Sequence, residues 1–353
     1  MPDQTSGFDE ARHNSTVERY VERLLKGTAC YTLEEAANKA GMDVDLARRF
    51  WLSMGFPTIS EEEESRVFTD DDVVAMVRHQ QALASGLLSV ETMNSFIRAE
   101  SHMSDRLVLW QFETLVQHAV SELGLDGVSA RFWVIDHFED YQTFLQDQMD
   151  YSWRRHLAAL MRRSEAEASQ MDRLRDSGEE LQRALGFVDM VAFTNRSNEL
   201  RATELVRLIE VFEHTCRDII SAKGARVVKT IGDAFLFIAD DLVTGAETAT
   251  AIVETLRSEP GMLPVRASLV WGGVVSRFGD IFGRKVNLAS RLVDIAVPGS
   301  VYTDQETAEI LRQLKLGRFT LVPAGSPDLK GYGKINAVEL RRMPGGHGAG
   351  AFN

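Results

Sequence analysis

Asp189 lies inside the run ALGFVDMVAF, and a carboxylate among apolar residues is costly unless it is paired, hydrogen-bonded or bound to a cation. A second carboxylate, Asp233, follows a glycine between two apolar segments, ARVVKTI and AFLFIA. A hairpin at Gly232-Asp233 would bring it back beside the first strand. Two carboxylates converging at strand ends suit a site for two divalent ions that clamp a phosphate. The same residues also read as a strand-end aspartate and an ordinary turn former, and spacing alone leaves both readings open. Asn287 and Arg291 lie four residues apart, so on a helix they project from one face. Standing alone, that pair equally makes a surface hydrogen bond.

The surroundings of these residues are more informative. FVDMVAFT (Phe187 to Thr194), VVKTIGDAFLF (Val227 to Phe237) and GDIFGRKVNLASRL (Gly279 to Leu292) occur in this order. Together they resemble the three signature segments of the class III nucleotidyl cyclases, over roughly residues 181–340. The resemblance implies an adenylyl cyclase that converts ATP to cyclic AMP and pyrophosphate. In that family two aspartates bind two magnesium or manganese ions, and here they match Asp189 and Asp233. One ion would make the ribose 3′-hydroxyl a better nucleophile, and the other would neutralise the triphosphate.

Base selection in the family falls to a lysine and an aspartate, matched by Lys229 and Asp280. Guanylyl cyclases usually carry glutamate and a small polar residue there, so this pair implies ATP. The matched asparagine, Asn287, would orient the ribose, and the matched arginine, Arg291, would stabilise charge on the α-phosphate. Lys330, in LKGYG, resembles a family lysine near the terminal phosphates. Arg284 and Lys285 match no catalytic role and read as surface charge. In the family the metal aspartates come from one subunit and the other four residues from its partner. One chain carrying all six implies a head-to-tail homodimer with two equivalent sites and an inactive monomer.

Elements that could position these residues can be read from the pattern. ALGFVDMVAF reads as a buried strand, followed by a helix from about Glu199 to Ala222. Two strands meet at Gly232-Asp233, a helix covers about Val243 to Ser258, and a strand runs from about Val265 to Val275. A helix over about Val286 to Ala296 would carry Asn287 and Arg291. A short strand, a helix and two strands finish this half. The order predicts an α/β sandwich with helices on one face of a mainly antiparallel sheet; the resemblance makes it a ferredoxin-like cyclase domain over residues 179–342.

The first half reads as all-helical, so the chain as a whole is α+β. A flexible N-terminus is expected over residues 1–16, a helical regulatory domain over 17–150, a linker helix over 151–178 and a loose tail over 343–353. Thr32 with Glu35 reads as a capping box, and Thr69 and Ser89 read as further helix starts. Gly41, Gly55, Gly86 and Gly124 read as stops, and a packed helix is expected from about Ser104 to Leu123. Tyr31 to Pro57 with Phe68 to Leu83 resembles the winged helix-turn-helix of mercury-resistance-type regulators. Against DNA binding, Arg48 and Arg49 sit beside Asp43 and Asp45, and Glu61 to Glu64 form an acidic run, whereas phosphate-facing surfaces need positive charge.

The arrangement of the whole chain is similar to soluble actinobacterial cyclases whose N-terminal domain restrains the catalytic dimer in a pH-dependent way. Six of the eight histidines (His13, His79, His102, His118, His137, His156) fall in this half, and histidine titrates near neutrality. Trp110, Phe112, Phe132, Trp133 and Phe138 read as core or as the lining of a lipid pocket. A proton or a lipid is thus the expected regulator.

Composition narrows the remaining classes. A net charge of −13 offers no global attraction for nucleic acid or anionic lipid. Two cysteines build no disulfide framework and suit a reducing cytoplasm, and no run of some 18 apolar residues predicts a membrane span. The competing readings are a catalytically silent nucleotide-binding module and a DNA-binding regulator. The Gly-Gly-acidic-acidic-Phe hairpin of diguanylate cyclases is missing.

Overall fold

The computed structural model describes residues 17–57, 66–174, 182–277, 279–315 and 317–343. The expected terminal segment 1–16, the run Glu61 to Glu64, the break at Ser177-Gly178 and the tail beyond Met343 lie outside them. The chain forms two compact units that divide between Met161 and Arg162.

The first unit is all-helical, with α1 (17–24), α2 (Leu33–Ala40), α3 (Val44–Ser53), α4 (Asp70–Ala84), α5 (Val90–Leu123) and α6 (Gly127–Leu174), the last continuing into the second unit. Thr32 and Glu35 form the expected capping box, and Thr69 forms a second one with Asp72. These boxes satisfy amide groups that the first helical turn leaves without partners. Gly41 ends α2 with φ 65°, a backbone shape that costs glycine little. Phe68 is fully buried with Ala36, Phe50 and Met76 and pairs with Tyr31 in an isolated bridge.

The two long helices begin or end differently from their sequence reading. The helix expected from about Ser104 starts at Val90, capped by Ser89. The boundary expected at residue 150 falls inside α6. Neither span contains a proline or an internal glycine, so nothing in the backbone interrupts them. Phe112 and Phe138 line an apolar cleft of about 490 Å³ with Tyr20, Leu107 and Leu145. Trp110, by contrast, is 66% exposed. His79 and His137 each donate from Nδ1 to a carbonyl one turn earlier, Ala75 at 2.6 Å and Trp133 at 2.8 Å. Among the described residues, no helix is long and apolar enough to cross a membrane.

The second unit opens with β1 (Gln182–Met190), α7 (Phe193–Ser197), α8 (Ala202–Ala222), β2 (Arg226–Ile231), β3 (Ala234–Ala239) and α9 (Leu242–Ser258). It continues with β4 (Val265–Gly273), β5 (Val275–Arg277), β6 (Asp280–Phe282), α10 (Arg284–Ile295), β7 (Val301–Asp304) and α11 (Gln305–Gln313). It closes with β8 (Phe319–Pro323), β9 (Asp328–Leu329), β10 (Gly333–Lys334) and β11 (Ala337–Arg342). Seven strands form one sheet in the order β2-β3-β1-β4-β7-β11-β8, antiparallel except for the β4–β7 pair.

Alternation along β1 explains why this strand is apolar throughout. Ala184 and Val188 face one core, with Phe212 of α8, Ile252 of α9 and Leu311 of α11. Leu185 and Phe187 face the other, with Leu288, Ala289 and Leu292 of α10. The expectation of helices on one face is therefore corrected. Helix α10 covers the opposite face because Leu288, Leu292 and Val293 make its inner side apolar, and they bury against Leu236 and Val270.

Candidate active site

Asp189 is the last odd-numbered residue of β1 and shares the α10 face of the sheet with Leu185 and Phe187. Its cross-strand neighbours are Ala234 on β3 and Arg266 on β4. The β2–β3 turn is tight, with Gly232 at φ 60°, and Met190 N donates to Asp233 O at 3.3 Å. The turn thus carries the second aspartate to the end of the first strand, as the spacing predicts. Burial raises the Asp189 carboxyl above the usual carboxylate range; Arg266 opposes the shift, and Asp233 adds to it.

These two carboxylates are the group that a hard divalent cation would use. Magnesium-type sites take one or two carboxylates and complete their shell with substrate phosphates and water. Among the described residues, no cluster of three or more His, Cys, Asp or Glu side chains is placed to hold a metal alone. Two aspartates at neighbouring strand ends, one costly to bury ionised, fit a cation that arrives with a phosphate.

Lys229 and Asp280 come from separate elements and meet. Lys229 lies in the edge strand β2 opposite Leu236, next to a bulge, and Asp280 begins β6. The Lys229 Nζ donates to Asp280 Oδ2 at 2.6 Å, while Ile281 N donates to Oδ1 at 2.8 Å. The Lys229 hydrogen bond holds the Asp280 carboxyl below its usual range.

Asn287 and Arg291 lie on the exposed side of α10, opposite the buried Leu288 and Leu292. Arg291 Nη1 stands 3.6 Å from Asp294 Oδ2 within the same helix. Lys330 is exposed between β9 and β10, beside the buried Leu329. Within one chain, then, the two aspartates form one group, Lys229 and Asp280 a second, and Asn287 and Arg291 a third on the α10 surface.

Three basic residues acquire roles that the sequence reading did not assign. Arg266 binds Asp189 Oδ2 through Nε at 2.9 Å and Nη2 at 2.7 Å. Its signal was available, since a lone charge in the strand VRASLV needs a partner, but its partner depends on register. Lys285, read as surface charge, is half-buried between Asp304 at 3.2 Å and Glu306 at 2.6 Å. Its stem crosses Gly272, where an added Cβ would lie 2.5 Å from Lys285 Cγ. Arg183, with only 5% of its side chain exposed, joins Glu167 of α6 at 2.7 Å and Asp240 at 3.2 Å.

Residues 180–257 and 264–341 match the family model described as the adenylate and guanylate cyclase catalytic domain. The chain is 35% identical over 344 residues to an adenylate cyclase of Glutamicibacter nicotianae, covering 95% of this chain and 84% of that one. It is 33% identical over 357 residues to an adenylate cyclase of Streptomyces coelicolor, with coverage of 93% and 90%. A pH-sensitive adenylate cyclase of Mycobacterium tuberculosis is 26% identical over 317 residues, with coverage of 87% and 77%. Matches of this extent run through the helical unit as well as the sheet-containing one.

Proposed function

The chain belongs to the adenylate and guanylate cyclase family of enzymes, and we propose that it converts ATP to 3′,5′-cyclic AMP and pyrophosphate at sites shared across a head-to-tail homodimer. The observation that carries the choice of ATP is the contact between Lys229 and Asp280. An ammonium and a carboxylate side by side offer a donor for adenine N1 and an acceptor for its exocyclic amine. Guanine presents the opposite polarity at those edges and would set donor against donor and acceptor against acceptor, a mismatch that disfavours it.

In this reading Asp189 and Asp233 of one protomer hold the triphosphate end, and Lys229, Asp280, Asn287 and Arg291 of the partner hold the nucleoside. Divalent cations, magnesium or manganese, would when bound acidify the ribose 3′-hydroxyl and neutralise the triphosphate. Asn287 orients the ribose so that the hydroxyl lies in line with the α-phosphorus. Because attack is intramolecular, that orientation supplies much of the acceleration. Arg291 is exposed and only loosely held by Asp294, so it is free to donate to the α-phosphate as charge builds there. Lys330 extends towards the terminal phosphates from the β9–β10 hairpin.

Regulation by the helical unit is part of the proposal. The likeness to a pH-sensitive relative supports it, as does the concentration of histidines in that half. Protonation there would alter how the C-terminal part of α6 sets the catalytic dimer; a lipid is the other expected effector.

The experiment is cyclic nucleotide production by full-length protein supplied with ATP or GTP and manganese, from about pH 5.5 to about pH 8, where histidine titrates. Cyclic AMP from ATP that disappears in Asp189→Ala supports the reading. ATP binding without product would replace it with a silent nucleotide-binding module. For regulation, the same scan on a fragment starting near residue 178 decides. If the fragment keeps the steep pH dependence of the full chain, the helical unit is not the sensor.

A further inference from the structure

Lys330 sits at the tip of a very small element. The strands β9 and β10 pair Gly333 with Leu329 and Lys334 with Asp328. Between them Tyr332 N donates to Leu329 O at 2.8 Å, and Gly331 has φ 84°. With no positive φ at Lys330, this is a type II turn that carries Lys330 at its second position. Two strands of two residues do not hold a place in solution by themselves. What fixes Lys330 in space is therefore whatever the hairpin is fastened to.

It is fastened to the start of α10. Leu329, 3% exposed, belongs to the core formed with Leu288, Ala289 and Leu292, and Tyr332 packs against that core from the other end of the turn. The Tyr332 hydroxyl donates to the carbonyl of Arg284, the first residue of α10. The Arg284 guanidinium lies over the Tyr332 ring, 5.5 Å from its centroid, inside the range of about 6 Å at which a ring face attracts a cation. The next residue moors the same helical turn elsewhere. Lys285 Nζ reaches Asp304 at 3.2 Å and Glu306 at 2.6 Å, and Asp304 is itself buried. The start of α10 is thus the fixed frame, and the hairpin is the part that is placed. Asn287 N donates to Gly283 O at 3.3 Å, so the turn that holds Tyr332 also presents Asn287.

We infer that Tyr332 is a positioning residue of the cyclase reaction, which ties the turn bearing Lys330 to the helix bearing Asn287. The ammonium for the terminal phosphates and the amide for the ribose are then held at one spacing before the nucleotide arrives, and holding them so saves ordering on binding. The inference rests on the proposed reading of Lys330 as a ligand of the terminal phosphates. A tyrosine that acts through Lys330 has nothing left to do once the ammonium is gone. One that merely stabilises α10 disturbs Asn287 whether or not Lys330 is present.

The test is a double-mutant cycle on the full-length protein, read as kcat/KM for ATP and as inhibition of cyclic AMP formation by added pyrophosphate at constant excess manganese. Lys330→Ala comes first and is expected to weaken pyrophosphate inhibition by about tenfold or more, the loss of one charge-assisted hydrogen bond. Pyrophosphate inhibition at parental strength in Lys330→Ala would end the phosphate reading of Lys330, and this inference with it. Once that variant has lost affinity, Tyr332 is tested alone.

Tyr332→Phe keeps the ring and removes a hydroxyl whose bond is open to solvent, so its unfolding midpoint should stay near that of the parent. Its pyrophosphate affinity and kcat/KM are each expected to fall by about threefold to tenfold, the range of one hydrogen bond. In the Lys330→Ala background the same change should have no further effect on either quantity. Parental values in Tyr332→Phe would overturn the proposal. So would losses that multiply in the double variant, because the tyrosine would then act on something other than Lys330.

Discussion

Lys229 donates to Asp280 across 2.6 Å, so the two residues proposed to read the base are bonded to each other before any base arrives. The pair is partly open to solvent, 40% and 28% exposed, which leaves it reachable by a nucleotide edge. Each member must share its partner with the base, and reversing their polarity should reverse the choice. The double variant Lys229→Glu with Asp280→Ser is expected to lower kcat/KM for ATP by about a hundredfold or more and to favour GTP. Lys229→Glu alone sets two carboxylates face to face and should lose activity towards both nucleotides. Initial rates with each nucleotide decide; an unchanged ATP preference in the double variant would remove the pair from base recognition.

The same contact has a pH signature. Lys229 holds the Asp280 carboxyl below its usual range. A depressed carboxylate stabilises the fold above its unfolded pKa, near 4, and that contribution is lost as pH falls through the lower folded value. The ion pair therefore persists throughout mildly acidic conditions, and KM for ATP should stay flat from about pH 8 to about pH 5. Thermal unfolding of Asp280→Asn against the parent checks the sign. The gap should be constant above about pH 5 and close below about pH 4. A gap that widens on acidification would contradict it.

A shared site makes a prediction that no single variant can. Asp189→Ala and Arg291→Ala, each inactive alone, damage opposite contributions to every site. Random mixing makes about half of all dimers hybrid, and each hybrid keeps one undamaged site, so activity should return to about a quarter of the parental value. The assay is cyclic AMP formation after co-expression, or after dilution and reassociation. Mixtures as inactive as their parents would mean that each chain completes its own site.

Much of this site was legible in the sequence because its parts are local. Asp233 sits in a turn whose glycine needs a positive φ, and Asn287 and Arg291 share a helix face by spacing alone. Arg266 was hidden because its meaning is its register: shifted by one residue along β4, it would point to the other face. Lys285 was misread for a related reason. Its partners Asp304 and Glu306 lie 19 and 21 residues away, and only the packing of α10 against β7 brings them to it. The face covered by α10 was hidden as well, since an apolar strand looks the same whether one or both sides are buried. The long helices α5 and α6 were cut short because charged stretches resemble boundaries when their packing partners are unknown.

Gly186 shows how tightly the strand that bears Asp189 is packed. It stands opposite Phe237 in the β1–β3 register, and an added Cβ would lie 2.1 Å from the tip of that ring. The ring is fully buried and belongs to the core with Phe212 and Phe235, so it has little room to retreat. Gly186→Ala is therefore expected to cost about 1–3 kcal/mol through overpacking. Urea denaturation should register it as a lower midpoint at unchanged slope. Phe237→Leu on its own leaves a void and also destabilises. Combined, the two should be less harmful than their sum, because the new methyl occupies space that the ring has vacated. Strict additivity would mean that the ring is not what excludes a side chain at position 186, and the backbone of β1 would then have to account for the glycine.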